Sequence, residues 1–104
     1  MKIVGVTACM TGVAHTYMAK EALEKEARKR GHEVKVETQG SMGIESDLTQ
    51  SEIDEADVVV LAIAIEIEEA DRFDEKKSQG KLITIDPSIL IKDPAKIVDR
   101  IEQL

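Results

Sequence analysis

Lys2-Ile3-Val4-Gly5-Val6-Thr7-Ala8-Cys9-Met10-Thr11-Gly12-Val13-Ala14-His15-Thr16 is the stretch on which the reading of this chain turns. Residues 2–7 form a short apolar run rich in β-branched side chains, the composition of a buried strand. The only cysteine, Cys9, ends that run, a glycine-containing loop follows, and helical spacing begins near His15. The first turn of a helix leaves backbone N–H groups without internal partners, and the positive end of its dipole adds to their pull on negative charge. A strand that ends in a thiol and leads through such a loop into a helix therefore favours a thiolate, and a phosphoryl group carried on it. Gly12 lets the backbone approach the anion closely. A lone cysteine is more often a small buried hydrophobe. Here it ends the strand, and Thr7, Thr11, His15 and Thr16 surround it with polar groups.

Working outward, the remaining chain alternates in the same manner. Residues 15–30 read as a helix with Ala19, Ala22, Leu23 and Ala27 on one face, closed by Gly31. Val34-Lys35-Val36-Glu37-Thr38 alternates as a second strand, and residues 39–41 read as the turn that leaves it. Thr49 and Glu52 have capping-box spacing for a short helix to about Ala56, and Val58 to Ala62 is a continuously apolar strand. A short helix or turn is expected over 66–73, and a fourth strand over 81–85. Asp93-Pro94 supplies an N-cap and a proline at the first helical position for a last helix with Ile97, Val98, Ile101 and Leu104 inward. This order implies a single α/β domain over 1–104. Its architecture is a Rossmann-like three-layer fold with a four-stranded, mostly parallel sheet and helices on both faces. Ligands on such sheets collect at the carboxyl ends of the strands, where both Cys9 and the segment 37–41 lie.

Composition narrows the function. The chain has 104 residues, 42% of them hydrophobic, enough for one core. Its 14 basic against 21 acidic residues give a net charge of −7, which argues against nucleic acid or an anionic membrane as a partner. One cysteine permits no internal disulfide, and the apolar run 56–65 is too short for a membrane span. The first residues show neither a cleavable signal nor a basic presequence, so a cytoplasmic location without direct membrane insertion is expected. The two histidines and one cysteine lack ligand spacing, so neither metal nor cofactor is expected.

Residues 7–19, Thr7-Ala8-Cys9-Met10-Thr11-Gly12-Val13-Ala14-His15-Thr16-Tyr17-Met18-Ala19, together with Val36-Glu37-Thr38-Gln39-Gly40-Ser41 and Gly43-Ile44-Glu45, resemble the fructose-specific enzyme IIB domain of the bacterial phosphoenolpyruvate-dependent sugar phosphotransferase system. The resemblance implies that Cys9 accepts a phosphoryl group from a phosphohistidine on an EIIA component. It implies onward transfer to a sugar, fructose giving fructose 1-phosphate, bound in the membrane component EIIC. Met10, Thr11, Gly12, Val13, Ala14, His15 and Thr16 would then form the phosphate-binding loop, with Thr7, Gln39 and Ser41 as supporting residues. Met10 stands where the family has proline, which restores a backbone donor.

Two other readings compete. Small tyrosine phosphatases also carry a cysteine after the first strand, and Asp86-Pro87 is placed like their general acid. Their loop, however, needs an arginine at the position of His15 to clamp phosphate. A non-catalytic, receiver-like regulatory module would need an aspartate where Ala62-Ile63-Ala64-Ile65 stands. His15 is expected to be a neutral donor or an exposed cap, and His32 a surface residue without a partner.

Overall fold

A computed structural model of the chain describes residues 1–9, 13–40 and 43–104, with Val13 described by its backbone. Strand β1 (Lys2–Ala8) leads to helix α1 (Val13–Lys29), β2 (Glu33–Gly40), β3 (Gly43–Glu45), α2 (Gln50–Glu55) and β4 (Val58–Ile63). A 3-10 turn (Ala70–Phe73), α3 (Asp74–Ser78), β5 (Leu82–Ile85), α4 (Pro87–Lys92) and α5 (Pro94–Glu102) complete the chain. The sheet order is β3-β2-β1-β4-β5. All neighbours are parallel except β3, which returns antiparallel on β2 with Thr38 opposite Glu45 and Gln39 opposite Ile44.

The α/β class and the parallel arrangement agree with expectation, but the sheet has five strands, not four. The extra one is a hairpin edge: β2 continues through Gln39 and Gly40, which were expected in a turn, and pairs with residues 43–45. Three residues are too few for alternation to distinguish a strand from a loop.

Because both faces of a parallel sheet are covered, alternate residues of one strand enter two different cores. Ile3 of β1 and Val58 and Val60 of β4 pack with Leu23 and Ala27 of α1, Leu90 of α4, and Ile97, Val98 and Ile101 of α5. Val4, Val6, Val59 and Leu61 face the other way, onto Leu48, Ile53 of α2 and Phe73. Ile97, Val98 and Ile101 are inward as expected, whereas Leu104 is 37% exposed. Helix α5 stops at Glu102, so residue 104 leaves the helical repeat before it can reach the core.

Local signals set the element ends. Gly31, at φ +80°, follows α1, and the His32 N–H reaches the Ala27 carbonyl at 3.0 Å to close the last turn. Thr49 and Glu52 form the reciprocal capping box of α2. Asp93 caps α5 through the Lys96 N–H. Asp86 and Pro87 are the N-cap and first residue of α4. β2 lies on one side of β1 and β4 on the other, so the direction in which the chain adds strands reverses at β1. Cys9 follows directly on this strand, at the switch point where α/β folds bind ligands.

Candidate functional site

Ala8, the last residue of β1, is in register with Gln39 of β2 and Ile63 of β4. Cys9 therefore emerges between two strand exits. It is half-buried and opens onto a cleft of about 460 Å³. The walls are Gln39 and Gly40 of β2, Gly43 and Ile44 of β3, and Ile65, Glu66 and Glu68 of the segment leaving β4. That segment is tied beside Cys9 by the Ala64 N–H, which donates to the Ala8 carbonyl at 2.9 Å.

Of the supporting residues read from sequence, Thr7 and Gln39 take definite places. The Thr7 hydroxyl donates to the Thr16 carbonyl at 3.0 Å, a buried bond that pins the start of α1 to β1. Thr16 is buried, whereas Ala14 and His15 are exposed. Gln39, 5% exposed, lines the Cys9 cleft, and its amide is committed elsewhere. The side-chain NH₂ donates to Glu37 Oε2 at 2.7 Å and to the Glu68 carbonyl at 3.1 Å, and Oε1 accepts the Glu68 N–H at 2.8 Å. Met10, Thr11, Gly12, Ser41 and the Val13 side chain lie outside the described residues.

Glu37 is the residue that sequence reading missed. It sits on a strand covered on both faces and is fully buried. Its carboxylate accepts two bonds from Arg72, Nη1 to Oε1 at 2.9 Å and Nη2 to Oε2 at 3.0 Å, and a third from the Leu48 N–H at 2.8 Å. Burial pushes this carboxyl up. The bonds from Arg72, Leu48 and Gln39 outweigh that and hold it below the ordinary carboxylate range. Arg72 also donates to the Leu48 and Glu69 carbonyls, at 2.8 and 2.9 Å, and stacks over Phe73 at 5.0 Å. A charged residue at an alternating position is the one local hint of this pair.

On the other side of the site, the Tyr17 hydroxyl of α1 donates to Glu45 of β3, and this bond raises the phenol above its usual value. Helix start and hairpin are thereby linked. Asp86, the acid of the phosphatase reading, accepts from both the Ser88 hydroxyl and the Ser88 N–H. These bonds hold it ionised below the usual aspartate range, with a smaller contribution from His15. His32 corrects a sequence expectation. It has a partner, Glu102 of α5, at 2.6 Å, and its side chain is only 13% exposed, because the turn after α1 folds against the last helix. Among the described residues no cluster of three His, Cys, Asp or Glu side chains is arranged to hold a metal ion. No helix of the described residues is long and apolar enough to cross a membrane.

Fold and site together define an α/β protein with a thiol at the switch point of a mostly parallel sheet. The model of one family, described as the lactose/cellobiose-specific IIB subunit of the phosphotransferase system, matches residues 4–100. The chain belongs to this phosphotransferase-system IIB family and has a role in sugar phosphotransfer. It is 46% identical over 101 residues to the Escherichia coli K12 "PTS system fructose-like EIIB component 2", covering 97% of this chain and 92% of that protein. It is 57% identical over 76 residues to the Vibrio cholerae "PTS system fructose-specific EIIB'BC component", covering 73% of this chain but only 13% of that longer protein. A crystal structure of a predicted fructose-specific IIB from Escherichia coli superposes with a TM-score of 0.89 at 35% identity, covering 98% of this chain and 87% of the other.

Proposed function

We propose that Cys9 is the phosphoryl carrier of this chain, receiving its phosphate from a phosphohistidine on an EIIA protein and passing it to a sugar held by a membrane EIIC. In the first step the P–N bond breaks as the Cys9 thiolate forms a P–S bond. In the second a sugar hydroxyl attacks phosphorus, the P–S bond breaks, the thiolate is regenerated and the hydroxyl proton leaves to solvent. The observation that carries this reading is the position of Cys9. It follows the central strand directly and opens onto a cleft at the carboxyl edge of the sheet, with the N-terminus of α1 beginning at Val13. Backbone amides of residues 10–16 would hold the phosphoryl oxygens.

The relative at 57% identity is named fructose-specific and the one at 46% fructose-like, and fructose is the acceptor we assign, with fructose 1-phosphate as product. The Vibrio cholerae relative is named EIIB'BC, which supports an EIIC partner for this chain. The hydrolase reading is weaker, because His15 stands where a phosphate-clamping arginine is needed and Asp86 is engaged by Ser88 as the N-cap of α4.

Incubation with phosphoenolpyruvate, the general phosphotransferase components and an EIIA, followed by peptide mass spectrometry, should place one phosphoryl group on Cys9. Cys9→Ser should reduce uptake to background with an unchanged melting curve, since a hydroxyl of similar size is barely ionised at neutral pH. Phosphate found on His15 or His32, or retained by Cys9→Ser, would overturn the assignment.

A further inference from the structure

The cleft wall opposite Gly40 and Gly43 is not a strand or a helix. It is the segment 64–69, which leaves β4 and carries Ile65, Glu66 and Glu68 into the cleft beside Cys9. An irregular segment keeps one conformation only if its backbone groups are held by something outside it. The Ala64 N–H is held by Ala8 at one end. At the other, both backbone polar groups of residue 68 are taken by one side chain: Gln39 accepts from the Glu68 N–H at 2.8 Å and donates to the Glu68 carbonyl at 3.1 Å.

Gln39 can do this because its own amide orientation is fixed from behind. Its remaining N–H is directed at Glu37 Oε2, 2.7 Å away, and only the NH₂ end can face a carboxylate. Glu37 is in turn locked by the planar fork of Arg72, which also holds Glu69 through its carbonyl and so grips the far end of the same segment. The buried ion pair thus points the amide, and the amide holds the wall.

We infer that Gln39, backed by Glu37 and Arg72, is a positioning residue for phosphoryl transfer: it fixes the wall from Ile65 to Glu68 against which the phosphoryl-donor protein seats beside Cys9. The inference rests on the proposed role of Cys9. Gln39 forms no bond to phosphorus and takes no proton, so its loss should weaken productive docking and leave the chemical step intact.

The test uses Gln39→Met, which keeps the length of the side chain and removes its donors and acceptor, while Glu37 retains Arg72 and the Leu48 N–H. Amide hydrogen exchange at Glu68 should accelerate roughly ten-fold or more, with Ala64 unaffected, because only the Glu68 N–H loses its acceptor. In single-turnover phosphorylation by a phosphorylated EIIA, the half-saturating donor concentration should rise roughly ten-fold while the limiting rate stays within about two-fold. Arg72→Lys, which keeps the charge and loses the fork, should shift both readouts in the same direction by a smaller factor. Unchanged Glu68 exchange, or a fall in limiting rate at constant half-saturation, would overturn the inference. Wild-type protein that takes no phosphate on Cys9 would refute the carrier reading instead, and the exchange comparison would still decide whether Gln39 holds the wall.

Discussion

Glu66 and Glu68 line the cleft onto which Cys9 opens, and among the described residues neither lysine nor arginine shares it. Two carboxylates beside a thiol lower the local concentration of small anions, while protein donors bring their own charges to offset them. Cys9 should therefore react more slowly with iodoacetate than with neutral iodoacetamide, beyond the intrinsic difference between the reagents. Replacing both residues, Glu66→Gln with Glu68→Gln, should raise the iodoacetate-to-iodoacetamide rate ratio by about two- to five-fold at low salt. The gain should shrink toward about 1 M salt, where charges are screened within about 3 Å. A ratio that does not move would show that these carboxylates do not act on the thiol. The same residue scale contains the largest gap in the sequence reading. Glu37 was legible as a polar member of an alternating strand, but Arg72, 35 residues away, was not legible as its partner.

At the scale of elements, α1 lies against β1 at one small residue. A Cβ built on Gly5 would meet the Val60 carbonyl oxygen at 3.0 Å and Leu23 Cδ2 at 3.2 Å. Glycine is needed here for closeness of packing. Gly5→Ala must push Leu23 and the helix away from the central strand, because the Val60 oxygen is fixed in the sheet. It should cost about 1–3 kcal/mol in chemical denaturation, the range for overpacking a filled core. Since α1 begins in the segment that follows Cys9, phosphoryl uptake should slow as well. A variant as stable as wild type would mean that the helix has slack. Nothing in the sequence around Gly5 marks this contact, whereas the capping box at Thr49 and Glu52 and the Asp93-Pro94 start of α5 were readable, each being a pattern within four residues.

Across the whole molecule, carboxylates fasten elements that are distant in sequence. Glu37 joins β2 to the 3-10 turn through Arg72. Glu52 joins α2 to β2 through Lys35 at 2.8 Å. Glu102 joins α5 to the turn after α1 through His32 and to Arg30, at 2.6 and 2.8 Å. All three are held below the ordinary glutamate value of 4.5: Glu37 where bonds from Arg72, the Leu48 N–H and Gln39 outweigh burial, Glu52 chiefly by Lys35, Glu102 chiefly by His32. A carboxyl depressed by folding contributes stability that is complete above its unfolded value and is lost as pH falls through its folded value. The denaturation midpoint should therefore decline as pH is lowered from about 5 to about 3, and decline less in Glu37→Gln/Arg72→Met, which removes the buried pair without leaving a lone charge. A midpoint independent of pH over that range, or an equal decline in the double variant, would contradict this account.

The sequence by itself determined the main alternation of strands and helices, though not β3, α3 or α4, most ends of the elements it marked, and the placement of the one cysteine after the first strand. Those properties are local: a period of two or 3.6 and a capping residue act within one or two turns of chain. Tertiary structure alone decided that β2 and β4 flank β1 on opposite sides, which puts Cys9 at the switch point, and that residues 43–45 add an antiparallel edge. It also decided that Gln39 holds Glu68 and that His32 meets Glu102, pairs 29 and 70 residues apart. The physical reason is that hydrophobic pattern records whether a residue is buried, whereas a hydrogen bond or ion pair depends on which distant backbone the folded chain brings within about 3 Å.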